Sequence, residues 1–191
     1  NAFLDADEII EFAADTTVLA TGSYPTDTGF QKAIPHVEKL PGIELGGVFS
    51  AEDVMARRAR PGKRVILLDE GGNWKGCGTA WKLAEDGHEV TLVTPDPLVG
   101  KELQRTAADY PLRQRLAKLG VNFILESAIT RWSRECAEGF CFLDGNTPFI
   151  EAAAPVFTTP NIAAYSPPYH IPGSRLSLNP DRHSPLTRTR T

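Results

Sequence analysis

The sequence predicts an α/β fold with a central parallel sheet and a small antiparallel flap. Three observations lead there. Lys63-Arg-Val-Ile-Leu-Leu68 is an apolar run of strand length, as expected for a strand covered on both faces. A glycine-rich turn, Asp69 to Gly76, follows it and leads into a helical pattern with Ala80, Leu83 and Ala84 on one face. His88-Glu-Val-Thr-Leu-Val93 then reads as a second strand, and strand, turn, helix and strand together make a βαβ unit.

The other elements read in order. Asp15-Thr-Thr-Val-Leu-Ala-Thr-Gly22 is a short apolar strand stopping at a glycine. Ser23 to Gly47 is dominated by turn residues and prolines, which predicts a connecting loop rather than a packed element. Ser50-Ala-Glu-Asp53 has the spacing of a capping box, so a short helix should run to about Arg58, and Pro61-Gly62 ends it. In the βαβ unit the helix is expected over Thr79 to Asp86, with Gly87 in the left-handed position after it. Pro111 suits the start of another helix carrying Leu112, Leu116 and Leu119 and ended by Gly120, and Val121 to Leu125 is a third strand. The pattern shortens from Ala128 to Phe142, Asp144-Gly145-Asn146 reads as a hairpin turn, and Pro155 to Thr158 as a return strand. Prolines 160, 167, 168, 172, 180 and 185 crowd the segment after Thr159, which is expected to be extended or disordered without a partner.

Composition narrows the function. The chain has 191 residues, enough for one good core or one domain plus part of another. Residues 159–191 hold four Arg and one Asp, so they carry +3 of the net −4 and residues 1–158 carry −7. That balance argues against nucleic acid as a partner. The apolar runs are strand-sized, so no membrane partner is expected. Three cysteines without a metal-type spacing fit free thiols in a reducing compartment, and hence a cytoplasmic location. The start at Asn1 lacks the basic and apolar parts of a signal peptide, and the chain is expected to derive from a larger polypeptide.

The glycine-rich turn is the one motif with chemistry in it. Bare amides and the positive end of a helix suit a pyrophosphate. The usual dinucleotide pattern is G-x-G-x-x-G, with an acid at the end of the second strand for the ribose. Here Gly71-Gly72-Asn73-Trp74-Lys75-Gly76 gives G-x-N-x-x-G, with Asn73 where backbone should approach phosphate most closely. Measured from the strand instead, Asp69 takes the first glycine position and the turn is about two residues too long. Asp69 and Glu70 place like charge beside the expected phosphates, which Lys75 would partly offset, and Thr94 stands where the ribose acid belongs. Gly71, Gly72, Asn73 and Gly76 are therefore the candidate nucleotide contacts, with NAD(P) binding expected to be weak. The plainer reading is that Gly71, Gly72, Gly76 and Gly78 only let helix and sheet pack closely. His36, His88, His170 and His183 form no metal or dyad spacing, and Trp74, Trp81 and Trp132 fit packing better than a pocket.

Several segments together resemble a known family. They are Asp5-Ala-Asp-Glu-Ile-Ile, Ala14-Asp-Thr-Thr-Val-Leu-Ala-Thr-Gly-Ser23, Gly47-Val-Phe-Ser-Ala-Glu-Asp-Val54, Gly62-Lys-Arg-Val65 and Leu83-Ala-Glu-Asp-Gly-His-Glu-Val-Thr-Leu-Val93. In order and spacing, over roughly residues 5–158, they resemble the C-terminal dinucleotide-binding region of the trimethylamine dehydrogenase / 2,4-dienoyl-CoA reductase family, the old-yellow-enzyme-type NADH:flavin oxidoreductases. The resemblance implies a Rossmann-like FAD/NAD(P)-type fold. It implies residues 1–25 as the end of an FAD- or ADP-type domain, 26–49 as a linker, 50–158 as an NAD(P)-type domain, and 159–191 as a proline-rich tail matching no family segment. Ala20, Thr21 and Gly22 would match the family turn beside the first nucleotide. The family's FMN barrel, four-iron cluster and most of its FAD or ADP site fall outside these residues, so the fragment is expected to hold no cofactor and to have no catalytic site. The long turn is closer to the amine dehydrogenase branch, which implies an electron-transfer flavoprotein as partner and a homo-oligomeric full-length enzyme.

Overall fold

The computed structural model describes residues 5–18, 23–25, 27–133, 136–143, 154–158, 162–164, 176–177 and 187–188. The chain divides into two compact units, residues 25–162 and the two ends, 1–24 with 163–191.

In the unit made of the ends, α1 spans Ala6–Glu11. Its cap is a full capping box that the sequence reading missed: Asp5 accepts from the Asp7 and Glu8 amides, and Glu8 accepts from the Asp5 amide at 2.9 Å. Of the strand expected over 15–22, residues 19–22 lie outside the described residues, and Val18 is exposed. Two short strands, β1 (Ser23–Pro25) and β9 (Ile162–Ala164), pair with each other, and β10 (Leu176–Ser177) pairs antiparallel with β11 (Thr187–Arg188).

The larger unit is a five-stranded parallel sheet in the order β2-β8-β3-β4-β5. Its strands are β2 (Phe49–Ser50), β3 (Arg64–Asp69), β4 (Glu89–Val93), β5 (Asn122–Ile124) and β8 (Ala154–Thr158). Strand alternation explains the unbroken apolar run. Val65 and Leu67 face one layer, with Leu92 of β4, and Ile66 and Leu68 face the other. The first layer is helical: α3 (Trp74–Glu85) contributes Cys77, Ala80 and Leu83, and α4 (Asp109–Lys118) contributes Leu112 and Leu116. The small helix α2 (Ala51–Met55) adds Val54 and is capped as expected, Ser50 accepting from the Asp53 amide and donating its hydroxyl to Asp53 Oδ2 at 2.7 Å. It stops short of Arg58 because Arg57 adopts φ +58°.

The opposite face is covered, among the described residues, by the flap and the 27–49 stretch rather than by α-helices. The flap β6 (Ser127–Trp132) and β7 (Ala137–Cys141), an antiparallel pair, lays Ile129 and Trp132 against Ile66, Leu68 and Val93. Leu40, from the turn-rich stretch, completes that layer with no exposure. Residues 27–49 are as poor in strands and helices as their composition predicts, yet they are packed. Gln31 is 1% exposed and exchanges two hydrogen bonds with Ile129, Nε2 donating to its carbonyl at 2.6 Å and Oε1 accepting its amide at 3.0 Å. A side-chain amide here does what a neighbouring strand would do. The turn expected at Asp144-Gly145-Asn146 lies outside the described residues; at the other end of the flap, Ser133 N donates to the Cys136 carbonyl at 2.8 Å. The return strand is β8, inserted between β2 and β3, in register Leu67↔Val156.

Candidate functional site: the turn after β3

The turn that links β3 to α3 is where a dinucleotide fold presents its phosphate-binding amides. Helix α3 begins at Trp74 rather than Thr79, so Gly76 and Gly78 lie inside the helix and not in the turn. Glycine's poor helix propensity made the sequence reading delay the start, whereas Asn73 fixes it as N-cap, its side chain accepting the Lys75 amide at 2.9 Å. Asn73 therefore spends on itself one of the amides that a phosphate would use.

Asp69 takes two more. It closes β3, is 1% exposed, and its Oδ1 accepts from the Gly71 amide at 3.0 Å and the Gly72 amide at 3.1 Å. The Cys77 thiol approaches Oδ2 at 3.7 Å. Burial first, and the Asp69 charge second, push the Cys77 thiol far up, so it stays a protonated donor to this carboxylate. Gly76 carries no Cβ for a matching reason: one built there would overlap the Asp69 carboxyl group.

Glu70 turns the other way. Its Oε2 accepts the Lys32 amide at 2.9 Å and its Oε1 the Ala33 amide at 3.1 Å, tying the 27–49 stretch to the turn. Burial raises its carboxyl above the usual carboxylate range, against the downward pull of the two amides and Lys32. The charge expected to face the phosphates from Asp69 and Glu70 together thus comes from Asp69 alone. Lys75 does not offset it; its ammonium pairs with Glu52 of α2 at 2.5 Å.

The ribose end is equally occupied. Thr94 follows β4, is 1% exposed, and its Oγ1 accepts the Asp96 amide at 3.3 Å. Its main chain is tied to Ile124 and Ser127, the last joining the sheet to the flap. The sequence reading passed over Asp96, the first acid after the strand. Asp96 pairs with Lys101 at 2.7 Å and comes close to Gly72, and the Glu102 amide donates to the Gly72 carbonyl at 2.9 Å. The 101–106 segment, a 3₁₀ helix, is thus pinned to the turn.

Gly71, Gly72, Asn73 and Gly76 are therefore brought together, but around the protein's own side chains. Against this geometry a dinucleotide pyrophosphate does not fit: the Gly71, Gly72 and Lys75 amides are taken and a carboxylate fills the space beside Gly76. Ala20, Thr21 and Gly22 lie outside the described residues. Trp132 is core, Trp74 is 53% exposed at the start of α3, and the Trp81 ring lies 5.6 Å from the Arg115 guanidinium. His88 Nδ1 meets the Gly62 carbonyl at 2.8 Å, holding the start of β4 to the residues before β3. Among the described residues, no group of three or more His, Cys, Asp or Glu side chains is arranged to hold a metal ion, and no helix is long and apolar enough to cross a membrane.

Comparison with known proteins gives the family. The sequence model of the pyridine nucleotide-disulphide oxidoreductases matches residues 3–154. A cinnamate reductase of Clostridium sporogenes is 38% identical over 93 residues, 49% of this chain and 12% of that protein. A dimethylamine dehydrogenase of Hyphomicrobium sp. (strain x) is 28% identical over 130 residues, 67% of this chain and 17% of that protein. The structure of histamine dehydrogenase from Rhizobium sp. 4-9 superimposes with a TM-score of 0.72 and 26% identity, over 82% of this chain and 24% of that one. This chain therefore spans less than a quarter of the length of each of these three proteins. The expected α/β dinucleotide fold and the resemblance to the trimethylamine dehydrogenase type both hold, and the chain belongs to the pyridine nucleotide-disulphide oxidoreductase family, among relatives of the flavin-dependent amine dehydrogenases.

Proposed function

We propose that these residues form the dinucleotide-fold part of a flavin-dependent oxidoreductase of the amine dehydrogenase type and supply its architecture rather than its reacting groups. The observation that carries this reading is the closed ribose end of the site. Thr94 is buried with its hydroxyl turned to the Asp96 amide, and the 101–106 segment is bonded to Gly72. A hydroxyl so engaged does not replace a carboxylate that accepts from both ribose hydroxyls. In this reading FMN, a four-iron cluster and FAD or ADP belong to other parts of a longer cytoplasmic, homo-oligomeric enzyme. Its barrel and flavin domains are the partners of this one, and an electron-transfer flavoprotein accepts its electrons.

The test is calorimetric titration of the chain with NADH and with NADPH. The expected dissociation constant is about 1 mM or weaker, since two losses of ~1–3 kcal/mol each move a micromolar site by that much. A low-micromolar constant for either nucleotide overturns the reading. It would favour a second one, a hydride-relay module, whose support is Asp96: a carboxylate beside Gly72, with its side chain 17% exposed. The two readings part on Asp96→Asn, which abolishes nucleotide binding only in the second.

A further inference from the structure

Asp69 does more than repel. A glycine turn at the start of a helix gathers amide hydrogens that need an acceptor, because the first turn of a helix has no intrahelical partner for them. A dinucleotide fold answers that need with pyrophosphate, and an empty turn would answer it with water. Here three amides of the turn and the helix start, those of Gly71, Gly72 and Lys75, find acceptors within the protein. The Asp69 carboxylate receives the Gly71 and Gly72 amides through one oxygen and faces the Cys77 thiol with the other. It is buried, and it stands against the backbone of Gly76 in the first turn of α3, in the space where a Cβ would be. The site is completed from both sides, since Asn73 takes the Lys75 amide and the Glu102 amide bonds the turn through Gly72.

We propose that Asp69 is the resident anion of this turn: its carboxylate takes the amides and the space that a dinucleotide pyrophosphate needs, and so selects against pyrophosphate-bearing ligands. The proposal rests on the scaffold reading above and deepens it by naming the residue that closes the site. It also assigns the glycines. Gly76 is glycine because of Asp69, not because a phosphate approaches it. Repulsion follows from the same placement: a pyrophosphate at this turn would sit within a few ångströms of a buried carboxylate, where charges are poorly screened.

The experiment compares the 191-residue chain with its Asp69→Gly variant. Each is titrated with inorganic pyrophosphate to about 10 mM by calorimetry, and the Gly71 and Gly72 amide resonances are followed in a nitrogen-15 spectrum. The expected result is saturable binding by Asp69→Gly, at least ~tenfold tighter than by the wild type, with both glycine resonances moving. In the wild type those two resonances stay in place. A folded Asp69→Gly that fails to bind pyrophosphate overturns the proposal, and so does a wild type whose glycine amides move on titration. The wild-type spectrum decides the matter even where Asp69→Gly does not fold. A second comparison reads the contact itself. Gly76→Ala should lower the urea midpoint sharply in the wild type and by much less in Asp69→Gly, and equal losses in both backgrounds overturn the proposal. Failure here is distinct from failure of the scaffold reading. A wild type that binds NADH removes the scaffold reading, whereas a wild type that binds neither NADH nor pyrophosphate, with an Asp69→Gly that gains nothing, removes this inference alone.

Discussion

Gln31 offers the sharpest test of how the non-helical face of the sheet is built. It lies in a stretch with no regular structure around it, yet its side-chain amide pairs with Ile129 through a donor contact of 2.6 Å and an acceptor contact of 3.0 Å. Both residues are 1% exposed, so neither Ile129 group has water as an alternative. Gln31→Ala leaves a buried amide and a buried carbonyl unpaired, at ~1–3 kcal/mol each, and water entering the vacated space recovers part of that. A net loss of about 3 kcal/mol follows, which at a slope of ~2 kcal/mol per molar lowers the urea midpoint by about 1.5 M. Gln31→Glu adds a sign. The carboxylate still accepts the Ile129 amide but opposes its oxygen to the Ile129 carbonyl, while the protonated acid restores the donor. Its deficit should therefore shrink as the pH falls below about 5. The assay is urea unfolding at two pH values, with hydrogen exchange at the Ile129 amide as the local readout. A loss under ~1 kcal/mol for Gln31→Ala with unchanged exchange would refute the reasoning, because the paired groups would then have another partner.

Glu70 provides a pH test. Burial raises its folded value, so its contribution favours the fold below the unfolded value and is lost as pH rises through the folded one. Stability of the wild type relative to Glu70→Gln should accordingly decline from about pH 4 towards neutrality, and urea midpoints that diverge the other way would show that the two amides outweigh desolvation. Gly42 and Gly46 separate space from backbone conformation, with φ +90° and +76° respectively. A Cβ on Gly42 would overlap the Trp132 carbonyl, whereas one on Gly46 meets nothing within 4 Å. Gly46, at ψ −175°, lies in a region open essentially to glycine alone, so Gly46→Ala should cost the ~1–3 kcal/mol of backbone strain by itself, whereas Gly42→Ala adds the overlap to a left-handed backbone and should cost more by urea unfolding.

Legibility in the sequence followed the range of the forces involved. Val65 to Leu68 showed a two-faced strand because alternation alone buries such a run, and β3, β4 and β5 lie where they were expected. The start of α3 was missed by five residues because Gly76 and Gly78 argue against helix locally, while the cap at Asn73 and the packing of Gly76 and Cys77 decide the matter. The packing of 27–49 was illegible for a different reason. Turn residues signal the absence of helix and strand, and that says nothing about burial: Leu40 and Gln31 are held by partners some ninety residues away in sequence, Ile129 and Trp132 among them.

The site was half legible, and the missing half concerns what a glycine is for. Gly71, Gly72 and Gly76 marked the turn, and Asp69, Asn73 and Thr94 marked it as unlike a nucleotide site. The sequence supports two accounts of such a set. In one, the glycines still admit a phosphate and the acids merely weaken it. In the other, the acid is itself the ligand. Spacing cannot separate them, because a carboxylate and a phosphate ask the same backbone for the same amides. Direction separates them. Asp69 and Glu70 are adjacent, so in an extended segment their side chains leave opposite sides, and a single residue's shift would exchange their roles. Asp69 ends β3 in register with Thr158 and turns inward under α3, which sends Glu70 out to the Lys32 and Ala33 amides. One of two neighbouring acids thus fills the nucleotide turn and the other fastens the turn-rich 27–49 stretch to it, a division of labour set by strand register.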